Sequence, residues 1–302
     1  LLCILDGVGL RKNSLGNAYL NANSPTLDYL MKEYPHTHLE ASGEYVGLPK
    51  GQMGNSEVGH STIGSGRVIY QSLEKINKSI TDKSFYQNKE LLSAINYAKQ
   101  NNSHLHLIGL LSDGGIHSHI NHLFALLDLC QKENFHNVFV HVITDGRDTA
   151  PDSGINYILA LENKLKELRF GKIATICGRY YMMDRDNNYD RVSLAYNMLV
   201  DGSAPKYETA SLAWKSNQNK NITDEFIMPS LIDPSGIIRD NDAIITFNFR
   251  PDRLRELYSC LTNESFPSFK RTILKNIKLV TMMPVADTVI CTNAFGYENL
   301  DN

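Results

Sequence analysis

The 302-residue chain has no CxxC pair, no internal repeat, no visible secretory signal and no apolar run near the ~18 residues needed to span a bilayer. These absences exclude a disulfide scaffold, a solenoid and a membrane-spanning helix. The five cysteines, Cys3, Cys130, Cys177, Cys260 and Cys291, stand apart in the sequence. They read as reduced, mostly buried thiols of a cytoplasmic protein. Net charge is also scarce. Thirty Lys and Arg against 33 Asp and Glu leave −3, so no global field draws in nucleic acid or an acidic membrane. An initiator methionine is missing and the first residues look like the inside of a strand, so a few preceding residues are expected.

What is present suggests an enzyme of about two domains, on a prior of ~150 residues each. Hydrophobic residues make up 42% of the chain, enough for a real core. Apolar runs alternate with helical patterns. Leu105 to Leu111, Val138 to Thr144, Ile173 to Cys177 and Ala243 to Phe249 read as buried strands. Leu91, Leu92, Ile95 and Ala98 have helical spacing within 88–101. So do Ile120, Leu123, Leu127 and Cys130 within 118–133, and Ile155, Ile158, Leu161 and Leu165 within 154–168. This alternation predicts an α/β fold with parallel sheets flanked by helices. The stretch 201–222, rich in Asn, Lys and Ser around Trp214, reads as an irregular excursion.

The most informative segment is Gly-Gln-Met-Gly-Asn-Ser-Glu-Val-Gly-His at 51–60. It presents one hydroxyl, Ser56, among three glycines, and its spacing fits neither a dinucleotide loop nor a P-loop. The pattern after it can open a helix, whose free N–H groups would favour a phosphate. Such a setting offers a serine nucleophile to an anionic substrate, although a surface turn is the plain alternative. Leu-Leu-Cys-Ile-Leu-Asp-Gly-Val-Gly at 1–9 reads as a strand that delivers Asp6 to its C-terminal end. In open α/β sheets ligands bind at that edge, so Asp6 is a candidate cation ligand, or else a turn aspartate.

The other strands end similarly. They run into His117 and His119, into Arg147 and Asp148, into Arg179 and Arg185, and into Arg250 and Arg253. Guanidinium forks match carboxylate and phosphate geometry, so five arginines at strand ends suggest a small, doubly anionic substrate. The remaining histidines read as background. His60 is expected to make structural hydrogen bonds. His104, His106, His136 and His141 are expected to be ordinary, and His119 and His122 to lie on a solvated helix face. Met182 and Met183 read as packing.

Together, LDGVG at 5–9, GQMGNSEVGH at 51–60, GRVIYQSL at 66–73, LHLIGLLSDGGIHSH at 105–119, TDGRDTAP at 144–151, CGRYYMMDRDNNYDR at 177–191, TDEF at 223–226 and FNFRPDRLREL at 247–257 closely resemble the cofactor-independent phosphoglycerate mutases. This family belongs to the alkaline-phosphatase-like superfamily, and the motifs occur in family order. The resemblance implies a phosphatase-like domain beginning at 1–70. A phosphotransferase domain would be inserted at 71–290, with a return to the first domain starting at 291–302. It implies interconversion of 3- and 2-phosphoglycerate in glycolysis and gluconeogenesis, through a phosphoserine at Ser56 and without 2,3-bisphosphoglycerate. Arg250 and Arg253 would hold the phosphoryl group. His117, Arg147, Asp148, Arg179 and Arg185 would hold the glycerate, with Asp148 as proton shuttle. Domain closure would trap glycerate between the two steps.

The resemblance also implies two divalent metal ions, manganese or magnesium in its place, and a monomer. Of the metal ligands this chain carries Asp6 and Ser56, and specific sites need three or four protein ligands. The sequence is therefore expected to be part of a longer enzyme and to be inactive alone. Two readings stay open beside the mutase: a metal-dependent phosphatase or other phosphomutase of the superfamily, and an inactive binding fragment.

Overall fold

Uninterrupted aliphatic runs are stable as strands only where both faces of a sheet are covered. The computed structural model, which describes residues 2–6, 8 and 10–297, builds one sheet of this kind. The chain divides at Glu74/Lys75 into two compact units.

The first unit carries helices α1 (Ala18–Asn21), α2 (Pro25–Glu33) and α3 (Ser56–Ser65). Its buried apolar cluster is small: Val46, Leu48 and Val58. Gly54, within the serine motif, is needed for packing, since a Cβ there would sit 1.8 Å from the carbonyl oxygen of Ala41. Helix α4 (Ser72–Thr81) spans the division between the units.

The second unit continues with α5 (Lys89–Asn101), β1 (Leu105–Leu110), α6 (Ile120–Lys132), β2 (Val138–Thr144), α7 (Gly154–Leu168) and β3 (Lys172–Gly178). There follow α8 (Arg179–Met182), α9 (Tyr189–Asp201), α10 (Ala210–Gln218), β4 (Ser230–Leu231) and β5 (Ala243–Thr246). The unit ends with α11 (Arg255–Thr262), β6 (Lys278–Thr281) and β7 (Thr292–Asn293). The sheet order is β4-β3-β2-β1-β5-β6-β7, parallel throughout except for β4, which runs antiparallel to β3. Every residue of β1 and β2 is buried. One large cluster packs α9 and α11 onto the sheet through Tyr196, Leu199, Leu257 and Tyr258, and it includes Met182 and Met183. Because β1, β2, β3 and β5 are parallel, the loops after all four emerge at one sheet edge.

The α/β class and the helices expected at 88–101, 118–133 and 154–168 are present. Two local expectations fail. The first is the strand at 1–6. Residues 2–6 form no strand, and Leu2 and Leu5 are exposed by 73% and 50%. An apolar run becomes a strand only when another strand satisfies its backbone, and among the described residues of this unit none does. The second is the irregular excursion at 201–222, which contains α10. Thr209 caps that helix by accepting from the Leu212 N–H at 3.1 Å, and it buries small residues, Ala210, Ala213 and Asn217. A helix that packs through alanine and asparagine leaves no aliphatic stripe to read. Gly7 and Gly9 of the opening motif, and 298–302 of the expected return, lie outside the described residues.

Candidate functional site

Of the nine residues singled out from the sequence, Asp6 and Ser56 belong to the first unit and the other seven to the second. Ser56 is the first residue of α3, whose N-cap, Asn55, accepts from the Val58 N–H at 3.1 Å. The Ser56 hydroxyl donates to Asp6 Oδ2 at 2.8 Å. His60, one turn along the helix, places Nδ1 2.9 Å from the Ser56 carbonyl oxygen and 3.2 Å from its hydroxyl. The pair Asp6 and Ser56 thus offers two hard oxygens, and both side chains are exposed.

In the second unit a cavity of about 360 Å³ opens where the parallel strands end, lined by Arg147, Arg179, Arg185 and Arg253 among others. Arg179, which opens α8 directly after β3, is only 4% exposed. It donates through Nη1 to Asp145 at 2.6 Å and to Asp148 at 2.7 Å. Arg147 pairs with Glu225 at 2.9 Å, and Arg185 with Asp252 at 2.9 Å. Asp252 also lies 3.3 Å from Arg250, which joins the next loop to the set. His117 is buried behind Asp148, with Nε2 3.8 Å from its carboxylate and a buried Nδ1 that has no partner. The arginines crowd one another. Partial burial first, then Arg185, Arg179 and Arg147, lower the pKa of Arg253. Its Nε is buried without a partner. Such a cluster stabilises an anion with several oxygens.

Several residues of this site were not singled out in the sequence. Asp145 is buried at the end of β2 and accepts from the N–H groups of Arg147 (3.2 Å) and Asp148 (3.0 Å), from the Ser112 hydroxyl (2.7 Å) and from Arg179. Burial pushes its pKa up, but the Asp148 N–H, Ser112 and Arg179 outweigh that and leave it lowered. Asp184 accepts from the Asp186 N–H (3.0 Å), the Asn188 N–H (2.9 Å) and Arg191 (3.3 Å), and so shapes the loop that carries Arg185. Their only sequence signal is an aspartate directly after an apolar run or one residue before a key arginine.

The histidines depart from expectation. His122 does not sit on a solvated face. It is fully buried, its Nε2 lies 2.9 Å from Asn77 Oδ1, and its ring packs on Phe249. His119 is the N-cap of α6, accepting from the Asn121 N–H at 3.2 Å. His106 and His141 are not ordinary either, being wholly buried and hydrogen-bonded to each other at 2.9 Å. Strands covered on both faces leave their polar side chains only one another as partners.

These burials carry a pH consequence. Desolvation first, then Arg179, lower the His117 pKa to about 4, and desolvation lowers that of His122 to about 3. An unfolded histidine titrates near 6.5. Between 6.5 and the folded values the unfolded chain binds protons that the folded chain refuses, so stability falls as pH falls through that window. The urea midpoint is therefore expected to drop from pH 7 to pH 5, and His122→Leu is expected to flatten the slope. A midpoint that rises over this range would contradict the assignment.

Comparison with known proteins fits this geometry. The sequence model of the BPG-independent PGAM N-terminus family matches residues 76–287. The 2,3-bisphosphoglycerate-independent phosphoglycerate mutase of Clostridium perfringens (strain SM101 / Type A) is 49% identical over 307 residues, which cover 100% of this chain and 60% of that protein. The protein of the same name from Onion yellows phytoplasma is 50% identical over 314 residues, with the same two coverages. A crystal structure of Leishmania mexicana phosphoglycerate mutase at low cobalt concentration superposes with a TM-score of 0.74 at 31% identity, over 87% of this chain and 51% of that one. The chain spans about 60% of the length of the curated relatives it matches. With the family model covering most of the second unit, the chain belongs to the BPG-independent phosphoglycerate mutase N-terminus family.

Proposed function

We propose that this chain forms part of a phosphoglycerate mutase that interconverts 3- and 2-phosphoglycerate without 2,3-bisphosphoglycerate. In this reading 1–70 begins a phosphatase-like domain, 71–290 is an inserted substrate-binding domain, and 291 starts the return. The observation that carries it is the set of five arginines around one cavity at the strand ends: Arg147, Arg179, Arg185, Arg191 and Arg253. A substrate bearing a carboxylate and a phosphate matches these guanidinium forks, and Arg253, whose buried Nε has no partner, has a donor to offer it. Arg250 and Arg253 hold the phosphoryl group. His117, Arg147, Asp148, Arg179 and Arg185 hold the glycerate.

Ser56 forms a bond to phosphorus as the bond from phosphorus to substrate O3 breaks, and Asp148 serves as the proton shuttle for the leaving oxygen. The glycerate then turns, O2 attacks the phosphoserine, and Ser56 is regenerated. Positioning and charge neutralisation dominate such transfers, which suits a site made mostly of arginines. Asp6 and Ser56 fit a hard divalent cation, Mn2+ or Mg2+, because both donors are oxygens and Asp6 Oδ2 lies 2.8 Å from Ser56 Oγ. A cation bound there supplies positive charge that favours the serine alkoxide. The same reading makes the protein a cytoplasmic, monomeric enzyme of glycolysis.

The test uses the longer protein, supplied with 3-phosphoglycerate and no 2,3-bisphosphoglycerate and quenched during turnover. The peptide containing Ser56 is expected to carry phosphate while 2-phosphoglycerate accumulates. Turnover with Ser56 unlabelled, or release of inorganic phosphate in place of 2-phosphoglycerate, would overturn the reading.

A further inference from the structure

At the opposite edge of the sheet, where the strands begin, a second constellation takes no part in the proposed reaction. His104 and His106 flank the first residue of β1, two positions apart, so a strand places them on one face. Leu105 of β1 pairs with Ala243 of β5, which brings Asp242 alongside His104. The ligand atoms of the three side chains lie within 4.8 Å of one another. Asp242 Oδ2 is 3.0 Å from His106 Nε2, and Asp242 Oδ1 is 3.9 Å from His104 Nδ1.

Three features distinguish this cluster from a chance meeting. First, His104 Nδ1 is buried and has no hydrogen-bond partner, although it faces a carboxylate. Its 3.9 Å separation is too long for a hydrogen bond. Tetrahedral ligands 2.0–2.1 Å from a shared Zn2+ stand roughly 3.3 Å apart, between the two separations seen here. Second, His106 is backed by a hydrogen-bonded row across the sheet. Its Nδ1 is 2.9 Å from His141 Nε2, and His141 Nδ1 is 2.9 Å from Thr175 Oγ1. Metal-binding imidazoles are commonly oriented in this way by a partner on the other ring nitrogen. Third, His104 is the exposed member, with a quarter of its side chain accessible, and it lines a separate cavity of about 680 Å³. The cavity therefore borders the cluster at His104, while His106 and Asp242 lie buried behind it.

We propose that His104, His106 and Asp242 bind a divalent transition cation of the Zn2+ class, fastening the start of β1 to the start of β5. Two imidazoles and one carboxylate suit such an ion and are poorly matched to Mg2+ or Ca2+. Without the ion, the ionised Asp242 only accepts, so His106 carries its proton on Nε2. His141 then donates from Nε2 to His106 and accepts on Nδ1 from Thr175. With the ion on His106 Nε2, that ring carries its proton on Nδ1 and donates to His141 Nε2. His141 in turn carries its proton on Nδ1 and donates to Thr175 Oγ1. Each imidazole holds one proton in both states, so the row changes tautomer without changing charge.

This change gives a readout that a purely structural network would not show. Zn2+ is titrated into the chain with ¹⁵N-labelled histidine, following the imidazole nitrogens by NMR and the bound metal by equilibrium dialysis. The expected result is loss of the His104 and His106 signals of the free form together with a tautomer switch at His141, which does not touch the ion. His104→Ala and the bulkier His104→Gln should weaken this binding at least tenfold, since even outer-shell changes at metal sites cost that much. Zn2+ uptake identical in the His104 variants, or an unmoved His141 at saturation, would overturn the proposal. Neither outcome bears on the mutase reading, which uses none of these residues.

Discussion

Ser56→Ala is expected to lower 3- to 2-phosphoglycerate turnover by the longer protein by roughly 10³-fold or more, the usual scale for loss of a covalent nucleophile. The fold should survive the change. Ser56 is exposed at the first position of α3, and the helix is capped by Asn55, which the substitution leaves intact. The arginine cavity is built wholly within the second unit, so affinity for substrate should change little. The loss should therefore fall on kcat and not on KM, with an unaltered circular dichroism spectrum. Residual turnover within tenfold of the unmodified enzyme would remove Ser56 from the chemistry. The hydrogen bond from Ser56 to Asp6 predicts a weaker form of the same defect in Asp6→Asn, because the amide keeps an acceptor and loses the charge.

Asp145→Ala is expected to destabilise the second unit by about 3 kcal/mol, near the lower end for breaking a buried ion pair. The carboxylate is 1% exposed and satisfies four donors at once: Arg179, Ser112 and the N–H groups of Arg147 and Asp148. Alanine leaves all four short of a partner, with Asp148 alone to balance the buried guanidinium. Asp145→Asn keeps the shape and most acceptors, so its cost should be about 1–2 kcal/mol, the difference between charged and neutral hydrogen bonds. Urea unfolding followed by Trp214, the sole tryptophan and a member of this unit, measures both. A cost below about 1 kcal/mol for alanine would mean that Arg179 does not depend on Asp145. The charge also predicts a pH dependence. The folded pKa of Asp145 is depressed, so its stabilisation is present above the unfolded carboxylate range and is lost as pH falls through the folded value. In Asp145→Asn that acid-side loss should disappear.

The central strands were legible because Leu105–Leu110 and Val138–Thr144 are apolar without interruption, a pattern that suits a doubly covered parallel strand. The cavity arginines were legible for a related reason. Arg147, Arg179 and Arg253 follow shortly after such runs, and topology sends the ends of parallel strands to one edge. Illegible features depend on what lies across the fold. Glu225 meets Arg147 from 78 positions away, and no spacing announces it. Asp145 resembles any turn aspartate until its four donors are seen. The opening run 1–6 shows the converse error, since hydrophobicity marks what could be a strand but not whether a neighbour exists to pair with it. The row from Asp242 to Thr175 was hidden by sheet geometry. Its members come from four strand beginnings or middles; His141 and Thr175 each look like one polar residue in an apolar stretch, and Asp242 like the end of a polar turn.

The flanks of the seven-stranded sheet have a consequence beyond catalysis. Among the described residues its outermost strands are β4 and β7, two residues each, against seven for β2 near the middle. A row of unpaired backbone groups is a template on which a foreign chain can grow by strand addition. Ser230–Leu231 and Thr292–Asn293 offer too few rungs for that ladder to start, and β4 runs against the direction of the rest. The tapering margins thus act as a guard against amyloid-like growth, leaving the apolar centre of the sheet sealed from other copies in a crowded solution.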